Sequence, residues 1–463
     1  MNRSTTNLLL PFAFLALFAC SRKQDPLPWR LDTYLQAAQQ HEQFQGSVLV
    51  ATGDRIDYER QVGYADISTK RLIDRESLFE LASVSKQFTA TGILLLAEQG
   101  KLSVEDSLRK FFPELPYVGI TLHHMLTHTS GLPDYEEVIE SHWDRTKIAF
   151  NDDVIRLLAE HRPAVLFKPG DEWRYSNTGF MLLASIIERV SGEKYGDFLK
   201  KNIFDPLQMT RTRTYNTRRS GEVIENYAYG YIYDDSAKVL LLPDSVRARQ
   251  YVYYMDGIQG DGVVNSTARD LLKWHQGLRD GKVLSPASLA KAYTDATLNS
   301  GKPVNYGYGW SVRTDSTHGR VVEHGGSWPG YGTFIRRYLD QDKVIIVLSN
   351  TEKYIQEAVD GFLFDRPIEL PHELQWLSPP SDLSAWEGRF VVVGDETDTI
   401  TYFSKDGELM GSTGQWQWEL KFANDGRFYS VYRSLVGLGM DSGQTGQSFY
   451  WIESGVKRRL RKL

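Results

Sequence analysis

Leu81-Ala82-Ser83-Val84-Ser85-Lys86-Gln87-Phe88 is the stretch around which this chain is organised. It sets a Ser-x-x-Lys pair at the start of a helix that the sequence carries from Val84 to Gln99, with Gly92 as the one weak helix former. Phe88, Ile93, Leu94, Leu95 and Leu96 spread apolar surface too widely for a single amphipathic stripe, so this helix should run through the middle of its domain. Residues three apart share a face, which puts Lys86 one turn along from Ser83. The unpaired N–H groups of a first turn favour negative charge at Ser83, and the Lys86 amine is in reach of the hydroxyl proton. A serine hydroxyl alone is a poor nucleophile, and this arrangement supplies what it lacks. A plain N-cap role for Ser83 or Ser85 is the competing account of the same residues.

The 463 residues and their ordinary apolar fraction allow two or three domains with a sizeable core. The net charge of −6 and the lack of zinc-finger spacing speak against nucleic-acid binding. Lys457-Arg458-Arg459 and Arg461-Lys462 read as a solvated last strand. Residues 1–20 have the form of a targeting segment: Arg3 first, then a short apolar run from Leu8 to Phe18. The segment ends Leu17-Phe18-Ala19-Cys20, which resembles a bacterial lipobox, although Phe18 is bulky for its place. Cys20 is the sole cysteine, so no internal disulfide forms and a lipid-attachment role is open to it. Lipidation there implies a bacterial envelope protein held to a membrane, facing the periplasm or the exterior. Residues 21–30 then form a tether.

Two further stretches carry chemistry. Tyr175-Ser176-Asn177 precedes an apolar helix from Phe180 to Val190, and His324-Gly325-Gly326-Ser327 ends a strand. Gly325 and Gly326 lack side chains, so a substrate can lie along that strand and pair with its backbone. Between the first two stretches stands His128-Thr129-Ser130-Gly131-Leu132-Pro133.

The ordered set resembles the serine β-lactamase and penicillin-binding-protein superfamily. The branch it resembles is that of the class C β-lactamases, with D-alanyl-D-alanine carboxypeptidase, D-aminopeptidase and esterase relatives. The resemblance runs from about Phe44 to Phe364. It implies an acyl-enzyme on Ser83, with Lys86 easing proton departure and Tyr175 as general base. Asn177 would orient Lys86 and bond the substrate, and the N–H groups of Ser83 and Ser327 would form an oxyanion hole. A phenol titrates near 10, so Tyr175 would need positive charge, from Lys86 and from His324. His324-Gly325-Gly326 departs from the Lys-Thr-Gly of most penicillin-recognising enzymes, which puts efficient β-lactam hydrolysis in doubt.

The implied fold is α+β: an antiparallel sheet flanked by helices with a helical subdomain over residues 31–366. A Pro-rich linker follows over 367–383, then a small all-β barrel or sandwich over 384–463. In that last unit Trp386, Trp416, Trp418 and Trp451 read as core rather than sugar platforms. No cofactor is implied. The partners expected are a small-molecule or peptide substrate, including peptidoglycan-derived ones, and a membrane through the lipid. A metal site at His123, His124 and His128 is a rival, but Met125 stands where a zinc peptidase helix needs glutamate. The chain lacks Gly-x-Ser-x-Gly, which excludes an α/β-hydrolase. A penicillin-binding or peptidoglycan-sensing lipoprotein that acylates without turnover is the non-enzymatic alternative.

Overall fold

The computed structural model describes residues 25–214, 221–234, 239–393, 395–413, 417–430, 436–443 and 446–463. Cys20, the targeting segment and Trp416 lie outside the described residues. A six-stranded antiparallel sheet runs in the order Ser311–Asp315, Gly319–Trp328, Tyr331–Tyr338, Lys343–Ser349, Gly46–Thr52, Arg55–Val62. Its central strands are covered on both faces. Val48, Val50, Ile345 and Val347 pack with helices Leu27–Gln40 and Gln356–Leu363. Leu49, Ala51, Ile346 and Leu348 face the larger core that holds helix Lys86–Glu98. Successive side chains point to opposite faces, so a strand buried twice over reads as the unbroken apolar run Val344–Leu348.

Helix Lys86–Glu98 is buried without interruption from Lys86 to Leu94. It packs against helix Asn177–Ser191, and Gly92 is what lets them approach. A Cβ on Gly92 would come within 2.7 Å of Ile187 Cδ1. The α-helix itself begins at Lys86, not Val84; Ala82–Ser85 form a 3-10 turn ahead of it.

The first helix runs Leu27–Gln40, with Pro28 suited to its first turn, and so takes in the end of the stretch read as tether. Two helices follow the Leu132-Pro133 turn, Tyr135–His142 and Asn151–His161. Between them Asp144 accepts from the Thr146 backbone N–H and hydroxyl, a local turn that competes with helix.

The C-terminal strands close a barrel from Gly388–Val392 round to Val456–Lys462. Asp406-Gly407, both at positive φ, make the two-residue turn between Lys405 and Glu408. Trp386 is buried in the barrel core, with Trp418 and Trp451 packed against it. The basic tail is its last strand, where Lys457 pairs with Glu369 and Arg458 with Glu357. Residues of the linker are tied to both units: Gln43 donates to the His372 carbonyl (2.7 Å) and Leu377 N–H to Phe422 (2.9 Å). No helix among the described residues is long and apolar enough to cross a membrane.

Candidate active site

Ser83 lies on the 3-10 turn, directly after Ala82, whose φ of +47° is left-handed for a residue with a side chain. Such strain persists only where the surroundings impose it. Here the Leu81 N–H donates to the Val264 carbonyl (2.8 Å), and Thr333 Oγ1 donates to the Leu81 carbonyl (2.6 Å). The turn is thereby pinned between a loop on one side and the sheet on the other.

Lys86 is fully buried, and each of its three N–H donors has an oxygen. Nζ reaches Ser83 Oγ at 3.0 Å, Asn177 Oδ1 at 2.9 Å and the Asp261 carbonyl at 2.8 Å. The Gly260-Asp261-Gly262 corner is held by the same helix, since Thr89 Oγ1 donates to the Gly260 carbonyl (2.5 Å) and Ser85 Oγ accepts from Val264 N–H (3.1 Å). Asn177 is free to reach Lys86 because Ser176 caps the helix, accepting from Gly179 N–H at 3.2 Å.

The Tyr175 ring stands over Lys86, with Nζ 4.9 Å from its centroid. His128 fixes that ring. The two are 4.2 Å apart at 34°, the His128 carbonyl accepts from Arg174 N–H (2.9 Å), and its Nδ1 accepts from Ser176 N–H (3.0 Å). Accepting at Nδ1 puts the ring hydrogen on Nε2, which lies buried with no hydrogen-bond partner. Burial, and then the Lys86 charge, hold His128 well below the usual histidine range.

His324 is the main correction. Its Nδ1 meets the Gly325 carbonyl at 2.7 Å and its Nε2 the Tyr306 hydroxyl at 2.8 Å. A carbonyl only accepts, so Nδ1 carries the hydrogen and Nε2 receives the phenol. Burial and the nearby Lys86 charge press its pKa down to about 3. His324 is neutral at pH 7, gives Tyr175 no cation, and does not line the cleft. Gly326 is also not a bare shelf for substrate. A Cβ there would strike the Leu81 carbonyl and Thr333 Oγ1 at 2.3 Å, so the glycine lets the strand press on the Ser83 turn. Gly325 and Ser327 are exposed. Along the strand Gly319–Trp328, Ser311–Asp315 reaches only to Glu323, so among the described residues no strand pairs with that edge beyond Glu323, where an extended ligand could.

A cleft of about 290 Å³ opens over Ser83 and Asn177, lined also by Ser327, Trp328 and Glu136; Lys86 and Tyr175, like His324, are not among its lining residues. Glu136 was not legible as a site residue. It accepts from Asn177 Nδ2 at 3.0 Å, and burial, together with Asp134 and Asp261, raises its pKa to about 7. Its only sequence signal is its position just after the Leu132-Pro133 turn. The metal reading finds no support in the geometry. His124 Nδ1 turns back to the Thr121 N–H (3.1 Å) and His123 Nδ1 meets the Tyr308 hydroxyl (2.9 Å), while His128 faces the site. Among the described residues no cluster could hold a metal ion.

Comparison with known proteins agrees with this architecture. The beta-lactamase family profile matches residues 31–368. Penicillin-binding protein 4* of Bacillus subtilis (strain 168) is 45% identical over 437 residues, spanning 92% of this chain and 96% of the relative. The octameric penicillin-binding protein homologue from Pyrococcus abyssi shares the fold over 94% of this chain and 99% of its own, with 22% identity and a TM-score of 0.63. The D-amino acid amidase from Ochrobactrum anthropi SV3, complexed with L-phenylalanine amide, matches 70% of this chain and 90% of its own, with 26% identity and a TM-score of 0.57. With the profile covering most of its length, this chain belongs to the beta-lactamase family.

Proposed function

We propose that this chain is a serine hydrolase that forms an acyl-enzyme on Ser83 and hydrolyses an amide or ester. The observation that carries the reading is Lys86, buried and bonded at once to Ser83 Oγ, Asn177 Oδ1 and the Asp261 carbonyl. Its charge lowers the cost of an oxyanion at Ser83. Because all three of its hydrogens are engaged, the serine proton is passed to the Tyr175 hydroxyl oxygen, on the ring that stands over the same ammonium. Carbonyl attack by Oγ breaks the C=O π bond. Collapse of the tetrahedral adduct then expels the amine or alcohol, which takes its proton from Tyr175. Water repeats the sequence on the ester at Ser83. The backbone N–H groups of Ser83 and Ser327, both on the cleft, would receive the oxyanion.

The likeness to a D-amino acid amidase supports amide cleavage, and the likeness to Penicillin-binding protein 4* supports acylation by a penicillin. Ser83→Ala should keep the fold and abolish turnover of a nitrophenyl ester; retained turnover would remove Ser83 from the mechanism. Intact-mass spectrometry with a penicillin, a D-Ala-D-Ala peptide and the ester separates hydrolysis from a lasting adduct. An adduct with no product from any of them would favour the non-turnover penicillin-binding reading. The lipobox-like end of the targeting segment supports anchoring to the envelope through Cys20. Cys20→Ser should move the protein from membrane to soluble fractions, and an unchanged distribution would dismiss the anchor.

A further inference from the structure

We infer that the C-terminal barrel carries a second binding site, for an amphiphile with an anionic head and a hydrocarbon tail. The site is independent of the chemistry at Ser83. Strands Gly446–Glu453 and Val456–Lys462 pair from Glu453 and Val456 only as far as Phe449 and Leu460. Beyond that point Gly446–Ser448 and Arg461–Lys462 part, and the barrel wall has a break in its ladder. A hollow of about 620 Å³ lies there, lined by Phe449 and Leu460 and by Ser448 and Arg461 just past them. It is larger than the cleft of about 290 Å³ over Ser83. Ends of β-barrels are a common place for small-molecule sites.

The lining divides into hydrocarbon and positive charge. Phe449 and Leu460 belong to the barrel core, Ala385 packs against it, and Val393 at the lip is 51% exposed. Arg459, Arg461 and Lys462 supply the charge, and no carboxylate among the described residues lines the hollow. The basic run that ends the chain is therefore split in two. Lys457 and Arg458 are taken up by Glu369 and Glu357. Arg459 makes no ion pair among the described residues, and its backbone carbonyl alone is engaged, by Val393 N–H at 2.9 Å. Lys462 is placed by shape: a Cβ on Gly388 would come within 2.5 Å of its Cε, and its Nζ stands 5.6 Å from the Phe390 centroid. The acid that feels this ammonium is Glu387, which already accepts from Ser404 N–H at 2.8 Å. A hollow lined by one sign of charge concentrates ligands of the other. Its apolar floor adds the free energy of each methylene it covers.

The test is calorimetry on the whole protein with laurate, kept below its micelle-forming concentration. Dodecyltrimethylammonium has the same tail and the opposite charge, and octanoate has the same head on a shorter tail. Laurate should bind about 10- to 100-fold tighter than dodecyltrimethylammonium, the range of one charge-assisted hydrogen bond. Octanoate should lose about fourfold in affinity for each methylene withdrawn from the hollow. Arg459→Glu combined with Lys462→Glu should weaken laurate about 10- to 100-fold and leave nitrophenyl-ester turnover unchanged. Val393→Glu, a single change at an exposed position, should weaken laurate in the same direction. Equal affinity for the two heads, laurate binding untouched by both variants, or no laurate binding would overturn the inference. Sedimentation of the Cys20→Ser protein with phosphatidylglycerol vesicles, abolished by the charge reversal, would make the bilayer the source of the amphiphile. Laurate binding without sedimentation would make it a free fatty acid, and either result supports the site.

Discussion

Two buried cations in the same domain have opposite surroundings. Arg336 meets Glu323 at 2.5 Å, Glu357 at 2.8 Å and Asp360 at 3.1 Å. Arg458 from the barrel also pairs with Glu357, and Arg366 pairs with Asp360. With Arg313, 3.7 Å from Glu323, these three carboxylates face four guanidinium groups, and the network ties sheet, last helix and barrel together. Among the described residues Lys86 has no carboxylate in contact, only a hydroxyl, an amide and a backbone carbonyl. A cation already neutralised by carboxylates has little field left for a developing anion. One held by neutral oxygens keeps its field for the nucleophile. The contrast separates a charge that fastens elements from one that serves chemistry.

Lys86→Met should give the largest effect on the comparison: kcat/KM about 10³- to 10⁴-fold lower with a melting temperature within a few degrees of wild type. A stability loss as large as that at Arg336 would make Lys86 a structural cation. Tyr175→Phe keeps the ring on His128 and Lys86 and removes only the hydroxyl, so the rate should fall about 10²- to 10³-fold while substrate still binds. A full-rate Phe variant would move the base role elsewhere. Arg336→Met should leave the carboxylates unpaired and cost about 3–5 kcal/mol, read as a lower midpoint in urea at unchanged slope. A neutral outcome would mean that Arg313, Arg366 and Arg458 suffice to neutralise the cluster.

Those residues that local spacing brings together were legible in the sequence. Ser83 and Lys86 share a helical face by separation alone, and Tyr175 and Asn177 flank a cap. The buried strands and the small β unit were legible too, from apolar runs and from turn residues such as Asp406-Gly407. What the chain did not disclose depends on contacts distant in sequence. Lys86 finds its third acceptor at Asp261, in a corner that reads only as two glycines around an aspartate. His324 looks like a substrate ligand until Tyr306 is seen to take its Nε2. Gly326 reads as room for substrate, whereas the space is filled by the Leu81 carbonyl and Thr333. Glu136 resembles any first-turn acid until Asp134 and Asp261 gather round it.

Glu136 lies between the two extremes of buried charge, and it provides the smallest test. Its carboxyl goes from an ordinary value near 4.5 to about 7 on folding. The folded state therefore binds the proton more tightly than the unfolded chain, and stability is fully present below about 4.5 and lost as pH rises through 7. The loss is on the order of 3 kcal/mol at most, since burial here is incomplete and solvent screens part of the repulsion. Glu136→Gln keeps the shape and the acceptor for Asn177 but cannot ionise. The variant should melt a few degrees above wild type at pH 8, and the gap should close at pH 5, where the native carboxyl is already protonated. A gap of equal size at both pH values would show that the repulsion of Asp134 and Asp261 is not what sets this group apart.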